Sequence, residues 1–366
     1  MSTASELARS TGELLIAGFD GTEPSAEILE LIRAGLGGVI LFRKNCLGAA
    51  QVLELTNRLQ EAARAAGHER PLLIAIDQEQ GRVVRIVEGV TLFPAMGVVA
   101  RAGDPSLIER VAEAIGRELL AVGVNWNLAP VADVLSVPDC PVGDRSFGAD
   151  PAAVAALVAA YVRGAGRAGI LTSAKHFPGH GATRKDSHFT TPTVGRSRAE
   201  LERGDLVPFR AAIAAGVSSV MTTHITFPAL DATAPATISP VVLGDLLRGA
   251  LGFEGVVISD DLEMAGIALK APLPTGARAA LRAGCDILIV SRMLLPERDI
   301  PGLLAALREA IGDGGIPLSR TEDALKRVRR LREGLSWRAD PGAASAVLRA
   351  PTHLTLLDEV HRRAGA

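Results

Sequence analysis

Short apolar segments alternate with longer amphipathic segments along most of the chain. The apolar segments are rich in Val, Ile and Leu and show little polar alternation, which is typical of parallel strands covered on both faces. The amphipathic segments have helical periodicity, and several end at a glycine, as a left-handed helix C-cap requires. Eight strands are therefore predicted, at residues 14–19, 38–42, 72–76, 124–128, 170–174, 219–224, 255–259 and 286–290.

The order of these elements predicts the fold. Helices are expected at residues 25–36, 49–66, 106–122, 151–167, 206–215 and 240–251. Eight strands joined by crossover helices indicate an α/β protein with a (β/α)8 barrel of the TIM type, and a doubly wound open sheet is the alternative. We expect one barrel domain over residues 1–335, followed by a short helical C-terminal tail over residues 336–366 that packs on the outside of the barrel.

Polar residues collect where the predicted strands end. In a TIM barrel the chemistry lies at the C-terminal ends of the strands, so side chains from different strands meet there. Recurrence of polar residues at five strand ends is hard to attribute to solubility alone. The residues concerned are Asp77, Asn127, Asp133, Lys175, His176, His224, Asp260 and Asp261.

The stretch AKHFPGHGATRKDSH, residues 174–188, concentrates the most chemistry. We expect Lys175 and His176 to leave the end of the fifth strand and the following residues to form a loop, because glycines and a proline oppose a helix. Asp186 lies two residues before His188, where a carboxylate can hydrogen-bond an imidazole and stabilise its protonated form. The alternative is an accidental pair of surface residues.

Three further groups of side chains carry candidate chemistry with alternatives. Asp260 or Asp261 follows an apolar strand and could act as nucleophile, base or metal ligand, or the pair could only cap the next helix. A zinc site built from the histidines is disfavoured, because Phe-Pro-Gly separates His176 from His180 and removes the shared helical face of an HExxH motif. The cations Arg82, Arg85, Arg145 and Lys175 suit a hydroxyl-rich ligand or a phosphate.

Composition narrows the function class. With 22% charged residues and a formal net charge of −2 the chain has no basic block, so nucleic acid is not expected as a partner. No apolar run reaches the ~18 residues of a membrane-spanning helix, and Glu6 and Glu13 oppose a typical signal peptide. Three widely spaced cysteines fit reduced thiols. We expect a cytoplasmic protein that does not act at a membrane, and the sequence indicates no oligomeric state.

Several motifs, taken together and in order, resemble glycoside hydrolase family 3. They are AKHFPGHG followed by DSH, IDQEQGRVVR at residues 76–85, GDRSFGADP at 143–151 and ISDDLEM at 258–264. The resemblance extends from about residue 14 to residue 290 and is strongest with the single-domain bacterial β-N-acetylglucosaminidases of that family. It implies a hydrolase that releases terminal β-linked N-acetylglucosamine from a saccharide, with peptidoglycan recycling as its expected role, and no cofactor or metal is expected.

The resemblance also implies residue roles. The aspartate after Ser in the SDDLxM motif is the nucleophile, which corresponds to Asp260, and the DSH motif supplies His188 as general acid/base with Asp186 as its partner. Retention of the β configuration would follow from a covalent glycosyl-enzyme. The implied sugar-binding residues are Asp77, Arg85, Arg145, Lys175 and His176.

Two positions depart from the family pattern. Ala182 stands where the family commonly has Asp, and Gln80 stands at the first glycine position of IDQEGG. Ala182 could alter how the loop carrying His188 is held. A phosphorylase, a broader β-glycosidase and a non-catalytic sugar-binding barrel are the alternative functions.

Overall fold

The backbone forms a closed barrel of eight parallel strands surrounded by helices. The structure, a computed structural model, describes residues 3–187, 189–294 and 299–365. Neighbouring strands in the barrel follow the order β1-β10-β9-β6-β5-β4-β3-β2, and a separate two-stranded hairpin is formed by β7 and β8. The strands are β1 (Leu15–Ala17), β2 (Gly38–Leu41), β3 (Leu73–Ile76), β4 (Trp126–Asn127), β5 (Leu171–Phe177), β6 (Ser219–Thr222), β7 (Thr226–Phe227), β8 (Asp231–Pro235), β9 (Val256–Asp261) and β10 (Ile287–Val290).

All eight predicted barrel strands are present, so the (β/α)8 prediction is confirmed and the open sheet is wrong. The predicted helices also form, although residues 241–250 adopt a π-helix. The helices are α1 (Ala4–Arg9), α2 (Ala26–Arg33), α3 (Ala49–Ala65), α4 (Met96–Val99), α5 (Pro105–Ala121), α6 (Pro151–Ala168), α7 (Arg198–Arg203), α8 (Leu206–Ala214), the π-helix Val241–Ala250, α9 (Ala265–Ala268), α10 (Leu273–Ala283), α11 (Ile300–Gly312), α12 (Leu318–Leu331), α13 (Pro341–Val347) and α14 (Pro351–Ala364).

The barrel strands are buried on both faces, which explains their unbroken apolar sequences. Every residue of β2, β3 and β10 is buried, and β1 and β6 show the same pattern. One face packs in the barrel interior and the other against the surrounding helices, so a polar side chain on either face loses its contact with water at a cost in free energy. The charged residues Lys175, Asp260 and Asp261 enter the barrel strands only where β5 and β9 reach the rim, whereas lower in the barrel the polar residues are small, such as Thr172 and Ser219.

Strand β5 is longer than predicted. We expected Lys175 and His176 to lie beyond its end, but the strand continues to Phe177. The additional ladder partners come from the segment after β4: the amide of Lys175 donates to the carbonyl of Pro130, and the Lys175 carbonyl accepts from the amide of Ala132. Since that segment is not a strand in sequence pattern, this extension could not be predicted.

Two irregularities in the parallel ladder, which we call the rim bulges, lie on strands that both neighbour β6. Between Ala174 and Phe177, β5 advances three residues while β6 advances two. Between Ile258 and Asp261, β9 advances three residues while β10 advances two. A bulge with one extra residue redirects the side chains near it, and such bulges are rare between parallel strands. Both occur where the strands reach the C-terminal rim.

The C-terminal segment packs against α5. Leu356 and Val360 of α14 are buried in the main core, and Glu359 pairs with Arg110 of α5 through two contacts of 2.7 and 2.8 Å. His353 Nδ1 lies 2.8 Å from the buried carboxylate of Glu118, also on α5. The tail is thus mostly helical, whereas the domain boundary near residue 335 stays a prediction. Among the described residues, no helix is both long and apolar enough for a membrane span.

Candidate active site

Two adjoining cavities open at the C-terminal rim of the barrel. The first cavity has a volume of about 280 Å³ and is lined by Asp77, Glu79, Arg85, Lys175 and Asp261 among others. The second cavity, of about 290 Å³, is lined by Arg82, His180, Asp186 and Ser187 among others. Four residues line both cavities: Val83, Arg145, His176 and Asp260. Asp260 therefore faces the first cavity on one side and the segment of Asp186 on the other.

A network of alternating charges forms one wall of the first cavity. Lys175 Nζ lies 2.7 Å from Asp77 Oδ1 and 2.5 Å from Glu79 Oε1. Arg145 binds Glu79 through two contacts, with Nε 2.7 Å from Oε2 and Nη2 2.9 Å from Oε1. Arg85 Nη2 lies 3.3 Å from Asp77 Oδ2. This network brings together four of the predicted sugar-binding residues.

The network keeps its members charged. Burial alone would raise the pKa of the Asp77 and Glu79 carboxyls, but the neighbouring cations outweigh it and hold both pKa values below their usual range. Burial would also lower the pKa of Lys175, yet the two carboxylates hold it above its usual value. The cavity wall therefore presents fixed charges, and the buried Nε of Arg85 has no hydrogen-bond partner within the described part of the chain.

Asp133 fixes the backbone of His176 and His180 and the ring of His176. Its fully buried carboxylate accepts from the amides of His176 and His180, at 3.1 and 2.7 Å, and lies 2.7 Å from His176 Nδ1. Burial opposes ionisation, but electrostatic attraction from His176 and these hydrogen bonds hold the pKa of Asp133 below its usual value. The carboxylate thus orients the His176 ring, whose other nitrogen is left for the cavity.

The extra residue in β9 brings two consecutive aspartates to the first cavity. In a regular strand, successive side chains point to opposite faces, so only one of Asp260 and Asp261 would line it. The amide of Asp261 donates to Asp260 Oδ1 at 2.8 Å, and the amide of Asp260 donates to Thr222 Oγ1 at 3.4 Å. The predicted alternative that both aspartates only cap the next helix is wrong, since neither caps α9.

The loop after β5 is held close to the barrel by tight contacts. A Cβ on Gly181 would lie 1.9 Å from the carbonyl oxygen of Val134, so no larger residue fits without moving the loop. Ser187 is fixed from two sides: its Oγ lies 3.2 Å from His180 Nε2, and its carbonyl accepts from the amide of Gly266 at 2.9 Å. These contacts carry Asp186 to the second cavity. His188, predicted as general acid/base, lies outside the described residues.

The structure shows the surroundings of Gln80 and Ala182, the two positions that depart from the family pattern. Gln80 has φ of 76°, a left-handed conformation that favours glycine, and its side-chain Oε1 accepts from the amide of Phe93 at 3.0 Å. That hydrogen bond offsets part of the backbone cost. Ala182 is half-buried and packs against the main hydrophobic core, so it contributes an apolar contact where the family commonly has a carboxylate.

Metal binding is not indicated by the geometry of the described residues. Across residues 3–187, 189–294 and 299–365, no group of three or more His, Cys, Asp and Glu side chains could hold an ion. The rings of His176 and His180 lie edge to face, with centroids 5.7 Å apart. The absence of a metal and of a cofactor stays a prediction, because His188 is not among these residues.

Several residues near the cavities had no assigned role from the sequence. Glu79 is one of them, although its spacing of two from Asp77 places both carboxylates on one side of an extended chain. Asn127 and His224 were expected at the rim and instead support it: Asn127 Oδ1 accepts from the amide of Gln78 at 3.0 Å, and His224 Nε2 lies 2.9 Å from the Asp261 carbonyl. Only the folded barrel brings these distant residues into contact.

Comparison with known proteins assigns the family. A model described as the glycosyl hydrolase family 3 N-terminal domain matches residues 7–331. The chain belongs to glycosyl hydrolase family 3. A β-hexosaminidase of Alkalilimnicola ehrlichii is 42% identical over 283 residues, which are 75% of this chain and 80% of that protein.

Two solved structures of the family are also similar. A β-N-acetylglucosaminidase from Paenibacillus sp. strain FPU-7 superposes with a TM-score of 0.90 at 38% identity, over 98% of this chain and 68% of that chain. NagZ from Neisseria gonorrhoeae, in complex with N-trifluoroacetyl-D-glucosamine, superposes with a TM-score of 0.79 at 31% identity, over 96% of this chain and 98% of that chain. The family 3 chain is thus a glycoside hydrolase of the β-hexosaminidase class.

Proposed function

We propose that this family 3 protein is a retaining β-N-acetylglucosaminidase that hydrolyses terminal β-linked N-acetylglucosamine through a covalent glycosyl-enzyme. The observation that carries the proposal is the position of Asp260, which lines both cavities, between the charged wall of the first cavity and Asp186 in the second. In a retaining glycosidase the scissile bond lies between the nucleophile and the group that protonates the leaving oxygen, so both groups have to border the space that holds this bond.

In this proposal the sugar occupies the first cavity. The wall offers the charged donors of Arg85, Arg145 and Lys175, the acceptor Asp77 and the oriented ring of His176. Sugar hydroxyls both donate and accept, so they match a wall of alternating charges better than an all-cationic phosphate site would. The buried Arg85 Nε, for which the described residues provide no partner, gains one when a sugar oxygen binds.

The reaction then has two balanced steps. An Asp260 oxygen forms a bond to the anomeric carbon while the bond to the leaving oxygen breaks, and His188, supported by Asp186, gives its proton to that oxygen. In the second step His188 takes a proton from water, whose oxygen attacks the anomeric carbon and releases Asp260. Two inversions retain the β configuration. The amide of Asp261 donates a hydrogen bond to Asp260 Oδ1 at 2.8 Å, which orients the carboxylate for the first step and stabilises the negative charge that returns to it in the second.

Phosphorolysis is the second candidate, and one observation favours it. Two arginines, Arg82 and Arg145, line the second cavity beside Asp186. Guanidinium groups bind phosphate well, so the second cavity could take phosphate in place of water as the acceptor. Against this, Arg82 Nη2 already donates to the Val142 carbonyl at 2.7 Å and Arg145 is occupied by Glu79.

The test compares an aryl N-acetyl-β-glucosaminide with the aryl β-glucoside, with and without phosphate. We expect turnover of the first substrate only, without phosphate dependence, with β-N-acetylglucosamine as the first product seen by NMR. Asp260→Asn should abolish turnover and still bind N-acetylglucosamine. His188→Ala should lose most activity on substrates with poor leaving groups. A sugar phosphate product would establish the phosphorylase, and an active Asp260→Asn would refute the covalent mechanism.

The cellular role is a further part of the proposal. We propose that the protein acts in the cytoplasm on sugars from peptidoglycan recycling. The buried thiols of Cys46, Cys140 and Cys285 are all free, which fits a reducing compartment. Comparing kcat/KM for N-acetylglucosaminyl-anhydro-muramic acid and for chitobiose tests the substrate. A clear preference for chitobiose would contradict the recycling role.

A further inference from the structure

We propose that Asp261 is the positioning residue for the nucleophile: it fixes the rim bulge of β9 and so aims Asp260 at the sugar. This inference rests on the proposed role of Asp260 as nucleophile. It concerns the neighbour of that residue, which the SDDLxM motif leaves without a role.

The bulge in β9 depends on contacts other than the regular hydrogen bonds between strands, because these are interrupted there. Where β9 gains its extra residue, the amide of Ile289 on β10 donates to the side chain of Ser259, at 3.0 Å, instead of to a strand carbonyl. The ladder resumes where the amide of Leu262 donates to the Ile289 carbonyl at 3.0 Å. Asp260 lies between these two bonds, so its backbone depends on other contacts.

The carboxylate of Asp261 supplies those contacts. Its Oδ1 accepts from the amides of Ser291 and Glu263, both at 3.2 Å, and its Oδ2 accepts a short hydrogen bond from Ser291 Oγ. Ser291 directly follows β10, so the carboxylate ties the end of β9 to the end of β10. Three donors on one carboxylate leave its side chain little rotational freedom.

The backbone of Asp261 transmits this fixation to the nucleophile. Its amide donates to Asp260 Oδ1 at 2.8 Å, and its carbonyl lies 2.9 Å from His224 Nε2, whose Nδ1 in turn lies 2.7 Å from Thr237 Oγ1. Asp261 is therefore held through its side chain from the end of β10 and through its carbonyl from the segment after β6. Rotation of the Asp261 backbone would change both the direction of Asp260 and the hydrogen bond that its carboxylate accepts.

The chain retains this carboxylate at a cost. Burial raises the pKa of Asp261 to about 7, because the loss of water around the carboxylate outweighs the hydrogen bonds, which act to lower the pKa. Burying a carboxyl group beside Glu263 costs stability. A neutral side chain could accept the same amide hydrogen bonds without that cost. That the carboxylate sits at this position agrees with a role in aiming its neighbour.

The experiment measures kcat and KM of Asp261→Asn, Asp261→Ala and Ser291→Ala on aryl N-acetyl-β-glucosaminides with good and poor leaving groups. Misplacing a reacting group by ~1 Å costs about 100-fold, so Asp261→Ala should lose about 100-fold in kcat and Ser291→Ala about tenfold. Asp261→Asn keeps one acceptor oxygen and should fall between them. KM should stay within about twofold, because Asp77, Arg85, Arg145 and Lys175, which are proposed to bind the sugar, are unchanged in these variants.

Leaving-group dependence separates positioning from proton transfer. The attack of Asp260 is required whatever the leaving group, so the losses should be equal on both substrates, whereas His188→Ala should affect mainly the poor one. Asp231→Asn is the matched control, because Asp231 Oδ2 accepts from Ser239 Oγ at 2.6 Å in a similar pair that does not line either cavity. This variant should keep the wild-type kcat.

The outcomes distinguish the inference from the function on which it rests. If Asp260→Asn is inactive while Asp261→Ala and Ser291→Ala keep kcat within about twofold of wild type, the positioning role is wrong and the proposed function stands. A rise in KM at constant kcat would likewise overturn it. If Asp260→Asn is active, the proposed function fails. Should Asp261→Ala not fold, Asp261→Asn and Ser291→Ala decide, with binding of N-acetylglucosamine showing that the site is intact.

Discussion

Glu79 offers the most informative perturbation of the charged wall. Its carboxylate is 3% exposed and bridges Arg145 and Lys175, whose side chains are 17% and 3% exposed. Glu79→Gln keeps the shape and one acceptor oxygen but removes the charge. The wall then holds Asp77 alone against three cations, two of which have lost their shared anion.

The expected cost follows from burial. Breaking a buried ion pair by removing one partner costs about 3–5 kcal/mol, and the retained amide oxygen places Glu79→Gln near about 3 kcal/mol. With an m-value of about 3 kcal/mol/M for a chain of this size, the urea midpoint should fall by about 1 M. Because the pKa of Glu79 lies below its usual value of 4.5, this loss should be constant near neutral pH and shrink as the pH falls below about 4.

The assay combines urea unfolding with steady-state kinetics. Since Arg145 and Lys175 would no longer be held in place, we expect KM to rise about tenfold, equivalent to about 1.4 kcal/mol, with a smaller change in kcat. Glu109→Gln is the matched control: Glu109 also bridges two cations, Arg163 and Arg167, but these are 49% and 48% exposed. Exposed pairs contribute about 0–1 kcal/mol. Equal midpoints for the two variants would refute the reasoning.

Three other variants test separate features. Gly181→Ala places a Cβ 1.9 Å from the Val134 carbonyl oxygen and should cost about 1–3 kcal/mol in thermal unfolding, whereas Gly195→Ala, with no atom within 4 Å, should be neutral. Asp133→Asn removes an ionised acceptor of three hydrogen bonds, so it should cost about 3 kcal/mol at pH 7, and a loss that does not shrink in acid would contradict this origin. The pKa of about 7 for Asp261 means that the native state binds its proton more tightly; the stability of wild type relative to Asp261→Asn should therefore fall as pH rises from about 4 to 7, and a pH-independent difference in urea unfolding would exclude this.

The fold was predictable because its strands carry a simple signal. Eight buried strands, covered on both faces, appear in the sequence as eight apolar runs, and helical periodicity fills the intervals between them. The β7–β8 hairpin was not predicted, because residues 231–235 are largely polar or small and do not form an apolar run. The π-helix at residues 241–250 has the same amphipathic pattern as an α-helix, so periodicity could not separate the two.

The candidate site was predictable only in part. The rule that barrel strands present chemistry at their C-terminal ends, together with the family motifs, brought Asp77, Lys175, His176 and Asp260 to the same rim, and the structure brings them to the first cavity. The support beneath them was not predictable, because it depends on long-range contacts. Asp133 meets His176 across 43 residues of sequence, and no local pattern specifies that pairing.

At the rim bulges, the pairing register of the C-terminal rim differs by one residue from that of the rest of the barrel. Below Ala174 and Ile258 the neighbouring strands pair one to one, and above these positions β5 and β9 each carry an additional residue. Removing that residue from β9 would restore even pairing and turn one of the two aspartates away from the cavity, with the eight strands otherwise intact. The placement of the two aspartates thus depends on one residue inside a strand, so in comparing such chains the insertions inside strands deserve the same scrutiny as those in loops.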